Sequence, residues 1–137
     1  MALAGSLRGT RRLSVVLARI EEQMVWDRAG ARGWYIECAA PHEVLFNKMG
    51  FYTVDIDYRQ PPLDAPTTVP DSPSLCLMYK EFGRQFVEPS LSGADFLAAM
   101  RKIFEQVYLI DAPEVSLFYN HVERQVACLD RGLVRFR

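Results

Sequence analysis

Five of the chain's eight prolines fall within residues 61–73, at Pro61, Pro62, Pro66, Pro70 and Pro73. Proline has no amide hydrogen and a fixed φ, so this stretch can be neither helix interior nor central strand. It reads as an extended loop. It divides the chain into a helix-and-strand half before it and a strand followed by helices after it.

Ahead of the loop, Leu13, Val16, Leu17, Ile20 and Met24 recur at helical spacing, and an amphipathic helix is expected over 11–29. Thr10 is its candidate N-cap and Gly30 or Gly33 its stop. Residues 34–39, Trp-Tyr-Ile-Glu-Cys-Ala, are aromatic and β-branched and end before Pro41, which reads as a buried strand. Residues 42–49 form a short helical stretch closed by Gly50. Residues 51–58 alternate, with Tyr52, Val54, Ile56 and Tyr58 on one side and Phe51, Thr53, Asp55 and Asp57 on the other. This predicts one strand with a drier and a wetter face.

After the loop, residues 74–81 read as a strand. Ser92 with Asp95 has the spacing of a capping box and opens a helix over 93–108, with Phe96, Met100, Ile103, Phe104 and Val107 as its apolar stripe. Asp111 with Glu114 repeats the pattern, with Pro113 in the first turn, and a last helix is expected over 112–129, ended by Gly132. Leu133–Phe136 is a candidate final strand.

The chain has 137 residues, 50% hydrophobic and 24% charged, which is one ordinary domain. Sixteen basic residues against seventeen acidic ones give no global attraction to nucleic acid or to an anionic membrane. No apolar run is longer than the five residues of Leu75–Tyr79, far short of the roughly 20 residues of a membrane span. Cys38, Cys76 and Cys128 are odd in number and lie far apart, so neither a disulfide framework nor a zinc ribbon is indicated. A reducing, cytoplasmic setting fits best. Residues 1–20 carry Arg8, Arg11, Arg12 and Arg19 and no acid. That pattern suits a mitochondrial transit peptide or the phosphate-facing end of a helix. The second is favoured, because the apolar spacing runs on into residues that carry acids. A secretory signal is disfavoured for want of an adequate apolar stretch.

Leu45-Phe46-Asn47-Lys48-Met49-Gly50-Phe51 resembles the F-Y-x-K-x-G-F segment of the GNAT acyl-CoA N-acyltransferases. Its flanks agree: a strand before it, a strand starting at its Gly-Phe, and an arginine-opened helix upstream. Arg8-Gly9-Thr10-Arg11-Arg12-Leu13 resembles a degraded form of that family's R-G-x-G-x-G/A-x-x-L loop. Tyr58-Arg59-Gln60-Pro61 resembles the Y-x-Q-P of a bacterial subgroup. The likeness covers residues 7–80, and the two C-terminal helices resemble that subgroup's tail.

The resemblance implies an α/β (α+β) fold, a GNAT-like mixed sheet flanked by helices, with a C-terminal helical extension over 92–137. Only Met1–Ser6 precede the arginine loop. The chain therefore resembles the C-terminal half to two-thirds of that domain and is expected to be N-terminally truncated. The implied activity is transfer of an acetyl or other acyl group from coenzyme A to an amine, by direct attack in a ternary complex. Arg8, Gly9, Thr10, Arg11 and Arg12 would contact the pyrophosphate, which suits a helix N-terminus. Phe46 would pack against the pantetheine arm. It stands where many family members have a tyrosine acid, and it has no proton to donate. Arg11 replaces a glycine that lets backbone approach phosphate, although a guanidinium could contact phosphate instead.

Glu37, mid-strand beside Cys38, is the candidate general base toward the amine. Asp55, Asp57 and Tyr58 are candidate contacts for the amine substrate; the bland alternative is the solvated face of a strand. Cys38 with His42 could form a thiolate pair only across a strand-to-helix break, and a buried structural cysteine is the commoner case. His121 reads as a packing residue, and Glu114, His121 and Glu123 repeat no metal-ligand spacing. The rival to catalysis is a non-catalytic remnant serving as a binding or protein-interaction module. The strand at 34–39 has one charge and an edge that invites pairing, so a homodimer is expected. The alternative is that the C-terminal helices fold back over the gap.

Overall fold

The computed structural model describes residues 32–63, 66–84 and 86–137. The helix expected over 11–29 lies outside these residues, as do Arg8, Gly9, Thr10, Arg11 and Arg12.

The described chain is mixed α and β. Strand β1 is Gly33–Cys38, followed by a 3-10 turn at Ala40–His42 and helix α1 at Glu43–Lys48. Strands β2 at Tyr52–Thr53, β3 at Tyr58–Arg59 and β4 at Ser74–Glu81 follow, then helices α2 at Gly93–Gln106 and α3 at Leu117–Ala127. No helix among the described residues is long and apolar enough to cross a membrane.

β4 is the centre of the sheet. It pairs along its length with β1, from Gly33 opposite Glu81 to Cys38 opposite Cys76, and also with β2 and β3. All these pairings are antiparallel, so the mixed sheet expected from the sequence is, among the described residues, an antiparallel one. The physical reason is insertion: β4 lies between β1 and β2 and runs against both, so these two never become parallel neighbours. Its near-continuous apolar run suits a strand buried on both faces.

The two faces carry separate cores. Leu77 and Tyr79 of β4 pack with Val54, Tyr58, Phe96, Met100, Phe104, Phe118, Tyr119 and Val122 beneath α2 and α3. Cys76 and Met78, on alternate positions, pack with Cys38, Phe51 and the half-buried Trp34, Ile36, Phe46 and Met49 beneath α1. Phe96, Met100 and Phe104 are fully buried at four-residue spacing along α2. Burying each is worth about 1.5–3 kcal/mol.

Several local expectations hold. Ser92 caps α2, its hydroxyl accepting the Asp95 N–H at 3.1 Å. Gly50 closes α1 at φ 95°, and the N–H groups of Gly50 and Phe51 return to Asn47 O and Phe46 O. That is a Schellman end, and the left-handed position needs glycine.

Others are corrected. Residues 51–58 are not one strand: after the Val54 bridge the chain leaves β4 and rejoins it at Tyr58. The N–H groups of Asp55, Ile56 and Asp57 go instead to Arg135 O, Val54 O and Gln125 Oε1. The supposed wet side is also split, since Phe51 and Thr53 are buried while Asp55 and Asp57 are exposed. The last helix starts later than expected. Pro113–Val115 is a 3-10 turn, and Ser116, not Asp111, is the N-cap, accepting the Tyr119 N–H. Residues 133–136 form no strand of their own. They lie extended between two partners, with Val134 N–H on Leu91 O and Arg137 N–H on Thr53 O.

Candidate functional site

β1 places Glu37 on the face covered by α2 and α3. Glu37 lies opposite Leu77, and Tyr58 opposite Leu75, so both side chains point to that face. The Tyr58 hydroxyl donates to Glu37 Oε1 at 3.0 Å, and the Tyr108 hydroxyl donates to Oε2. Tyr58 is 1% exposed. Burial, followed by the Glu37 charge, pushes its phenol far above the usual range. Tyr108 is pushed up by burial and by its hydrogen bond to Glu37. Glu37 is thus an acceptor shared by two protonated phenols. It ties β1 to β3 and to the end of α2. Neither of the two clefts described below is lined by it.

The three candidate substrate contacts therefore meet different fates. Tyr58 is buried against Glu37, while Asp55 and Asp57 lie outside that cluster. Asp57 sits at the centre of a second one. Its carboxylate accepts Arg59 Nε at 3.0 and 3.2 Å and lies 2.8 Å from His121 Nε2. Its backbone is held by the Gln125 side chain, which accepts the Asp57 N–H at 2.7 Å and donates to Asp57 O at 3.0 Å. Partial burial works against ionisation of Asp57, but the hydrogen bonds from His121 and Arg59 outweigh it, and the carboxyl stays below its usual range. An aspartate answered by two such partners is poorly placed to hold a substrate ammonium as well.

This cluster forms the floor of a cleft of about 450 Å³ between α3 and the proline-rich loop. Leu117, His121 and Arg124 wall it on the helix side, and Thr68, Val69 and Pro70 on the loop side. His121, read from the sequence as packing, is a polar contact at the cleft. Its spacing to Gln125 was the available signal, since residues four apart share a helix face. A larger cleft, about 640 Å³, lies where the start of β1 and the end of β4 meet α2. Tyr35, Tyr79 and Ala98 line it, and Arg32, Glu81, Asp95 and Lys102 add charges of both signs.

Phe46 lies on the opposite face of the sheet. It is half-buried and edge-on to Phe51, with ring centroids 5.9 Å apart. On the same helix Val44 and Leu45 remain exposed. Glu43 fastens α1 to β2: Thr53 Oγ1 donates to its Oε2 at 2.6 Å, and Arg137 approaches the same oxygen at 3.4 Å. The Thr53 hydrogen bond holds its carboxyl low. Cys38 is buried with its Sγ toward Met78 Sδ, and burial pushes its thiol up. His42 is exposed on the 3-10 turn. The structure does not bring that pair together as a thiolate site.

No protein-family model, no curated protein and no solved structure matches the chain.

Proposed function

We propose that the chain is an N-acyltransferase-like protein of the GNAT kind, using acetyl-CoA or another acyl-CoA and an amine. The observation that carries the reading is the setting of residues 45–51. They hold the end of α1, a short helix between two strands of like direction, closed by Gly50 at φ 95°, with Phe51 buried just before the second strand. That is the strand–helix–Gly-Phe–strand context in which the resembling motif has meaning. In the reaction, the amine nitrogen attacks the thioester carbonyl carbon. The C–N bond forms, the C–S bond breaks, the nitrogen gives up a proton to solvent, and the thiolate leaves and takes one up. Holding both reactants in line is a large term for such a step. Phe46 supplies no proton, so protonation of the thiolate falls to solvent and turnover is slow. Cys38, Cys76 and Cys128 are free, which suits a reducing compartment such as the cytoplasm.

One observation favours the second reading, a non-catalytic binding module. Glu37, the candidate base, is engaged at both oxygens by phenols and lines neither cleft. Thiol release from acetyl-CoA in the presence of simple amines separates the two. An acyltransferase gives slow turnover that rises in Phe46→Tyr. No turnover in either protein, with coenzyme A still bound, establishes the binding module instead.

A further inference from the structure

The cleft between α3 and the proline-rich loop has a charge balance that selects its ligand. Leu117, His121 and Arg124 follow one another at spacings of four and three, so they present one face of α3 to it. Among the described residues that line it the only carboxylate is Asp57, and that charge is already met by Arg59 and His121. Arg124 adds a second guanidinium and makes no ion pair among the described residues. The lining therefore carries a surplus of positive charge. Arg59 is held in place before any ligand arrives: its Nε is on Asp57 and its Nη1 donates to Ser72 O at 3.1 Å. A planar guanidinium fixed in this way suits the forked oxygens of a carboxylate or phosphate. Beside these groups lie Val69, Pro70 and Leu117, the last 68% exposed, which offer apolar contact to the rest of a ligand.

We propose that this cleft binds a small organic oxyanion, a carboxylate or phosphate monoester attached to an apolar group. The site goes beyond the acyl-transfer reading, since none of its residues belongs to the segment that carries that reading and it stands if that reading falls. The charge surplus disfavours an ammonium ligand, and a neutral apolar ligand would leave the Arg124 guanidinium unanswered.

The test is titration of the full chain with benzoate, phenyl phosphate, neutral benzamide and inorganic phosphate, followed by calorimetry and backbone-amide NMR shifts. The proposal requires benzoate or phenyl phosphate to saturate in the low-millimolar range, with shifts at Val69, Leu117, His121 and Arg124. Whichever of the two binds more tightly identifies the anion as carboxylate or phosphate. Arg124→Ala should weaken binding about tenfold, the effect of one lost charge-assisted hydrogen bond. Arg124 is exposed, so that variant keeps the wild-type circular dichroism spectrum. Benzamide binding as tightly as benzoate, an unchanged affinity in Arg124→Ala, or no saturation by either anion overturns the proposal. So does inorganic phosphate binding as tightly as phenyl phosphate, because the apolar wall would then contribute nothing.

Discussion

Glu37 shows how one residue can carry more of the fold than of the chemistry its type suggests. A carboxylate on a strand between apolar neighbours suggests a base with altered basicity, but here its oxygens hold two phenols that join three elements. The consequence is an alkaline limit to stability. Burial is the largest cause raising Tyr35, Tyr58, Tyr79, Tyr108 and Tyr119. In the unfolded chain a tyrosine ionises near about pH 10. Above that pH the unfolded state has lost protons that the folded state keeps, so stability falls as pH rises. These contributions are fully present below about pH 10. A titration of phenolate absorbance should show these five tyrosines ionising together, in a step coincident with loss of the circular dichroism signal. Five independent ionisations near pH 10 with the fold intact would contradict this. Glu37→Gln removes the charge that the phenols face. Tyr58 and Tyr108 should then ionise at lower pH, and chemical denaturation should show a loss of about 1–3 kcal/mol.

β1, β4 and α2 were legible in the sequence because each rests on one dominant local signal. For β4 it is an apolar run too short for a helix, and for α2 a Ser92 cap followed by a four-residue stripe. The break at 55–57 was not legible. It depends on the C-terminal tail and Gln125 taking amide hydrogens that an isolated alternating segment would give to a neighbouring strand. The Asp57 cluster was hidden for the same reason, since its partner His121 lies sixty-four positions away. The start of α3 was misread because Asp111 and Ser116 both have capping chemistry, and only packing of the 3-10 turn between them decides. Two substitutions probe how tightly the elements are set. A Cβ at Gly33 would lie 2.5 Å from Lys80 O and from the Tyr79 ring, and backbone cannot yield there. Gly33→Ala should therefore cost about 1–3 kcal/mol in thermal or chemical unfolding. Leu109, by contrast, holds φ 56° just after α2 and is 77% exposed. Leu109→Gly relieves a left-handed position and should stabilise by up to about 1 kcal/mol. A neutral Gly33→Ala or a destabilising Leu109→Gly would show that these positions are less constrained than their geometry implies.

At the scale of the whole molecule, the described residues cover the sheet unequally. α2 and α3 close one face, while among the described residues only α1 lies on the other, with Val44 and Leu45 exposed beside it. β1 pairs with β4 alone among the described residues, and its outer edge carries a mostly apolar sequence. Such edges favour pairing with a second copy. Light scattering on the purified chain should give the mass of a dimer at micromolar concentrations, and a monodisperse single-chain mass would reject self-association. The reading of the protein as an acyl-CoA enzyme or its binding remnant rests on coenzyme A itself. Calorimetric titration of coenzyme A into the full chain tests it most directly, beside the double variant Arg8→Ala/Arg11→Ala. The account predicts saturable binding that is markedly weaker in the double variant. No heat of binding up to millimolar coenzyme A, with the protein folded, would contradict it.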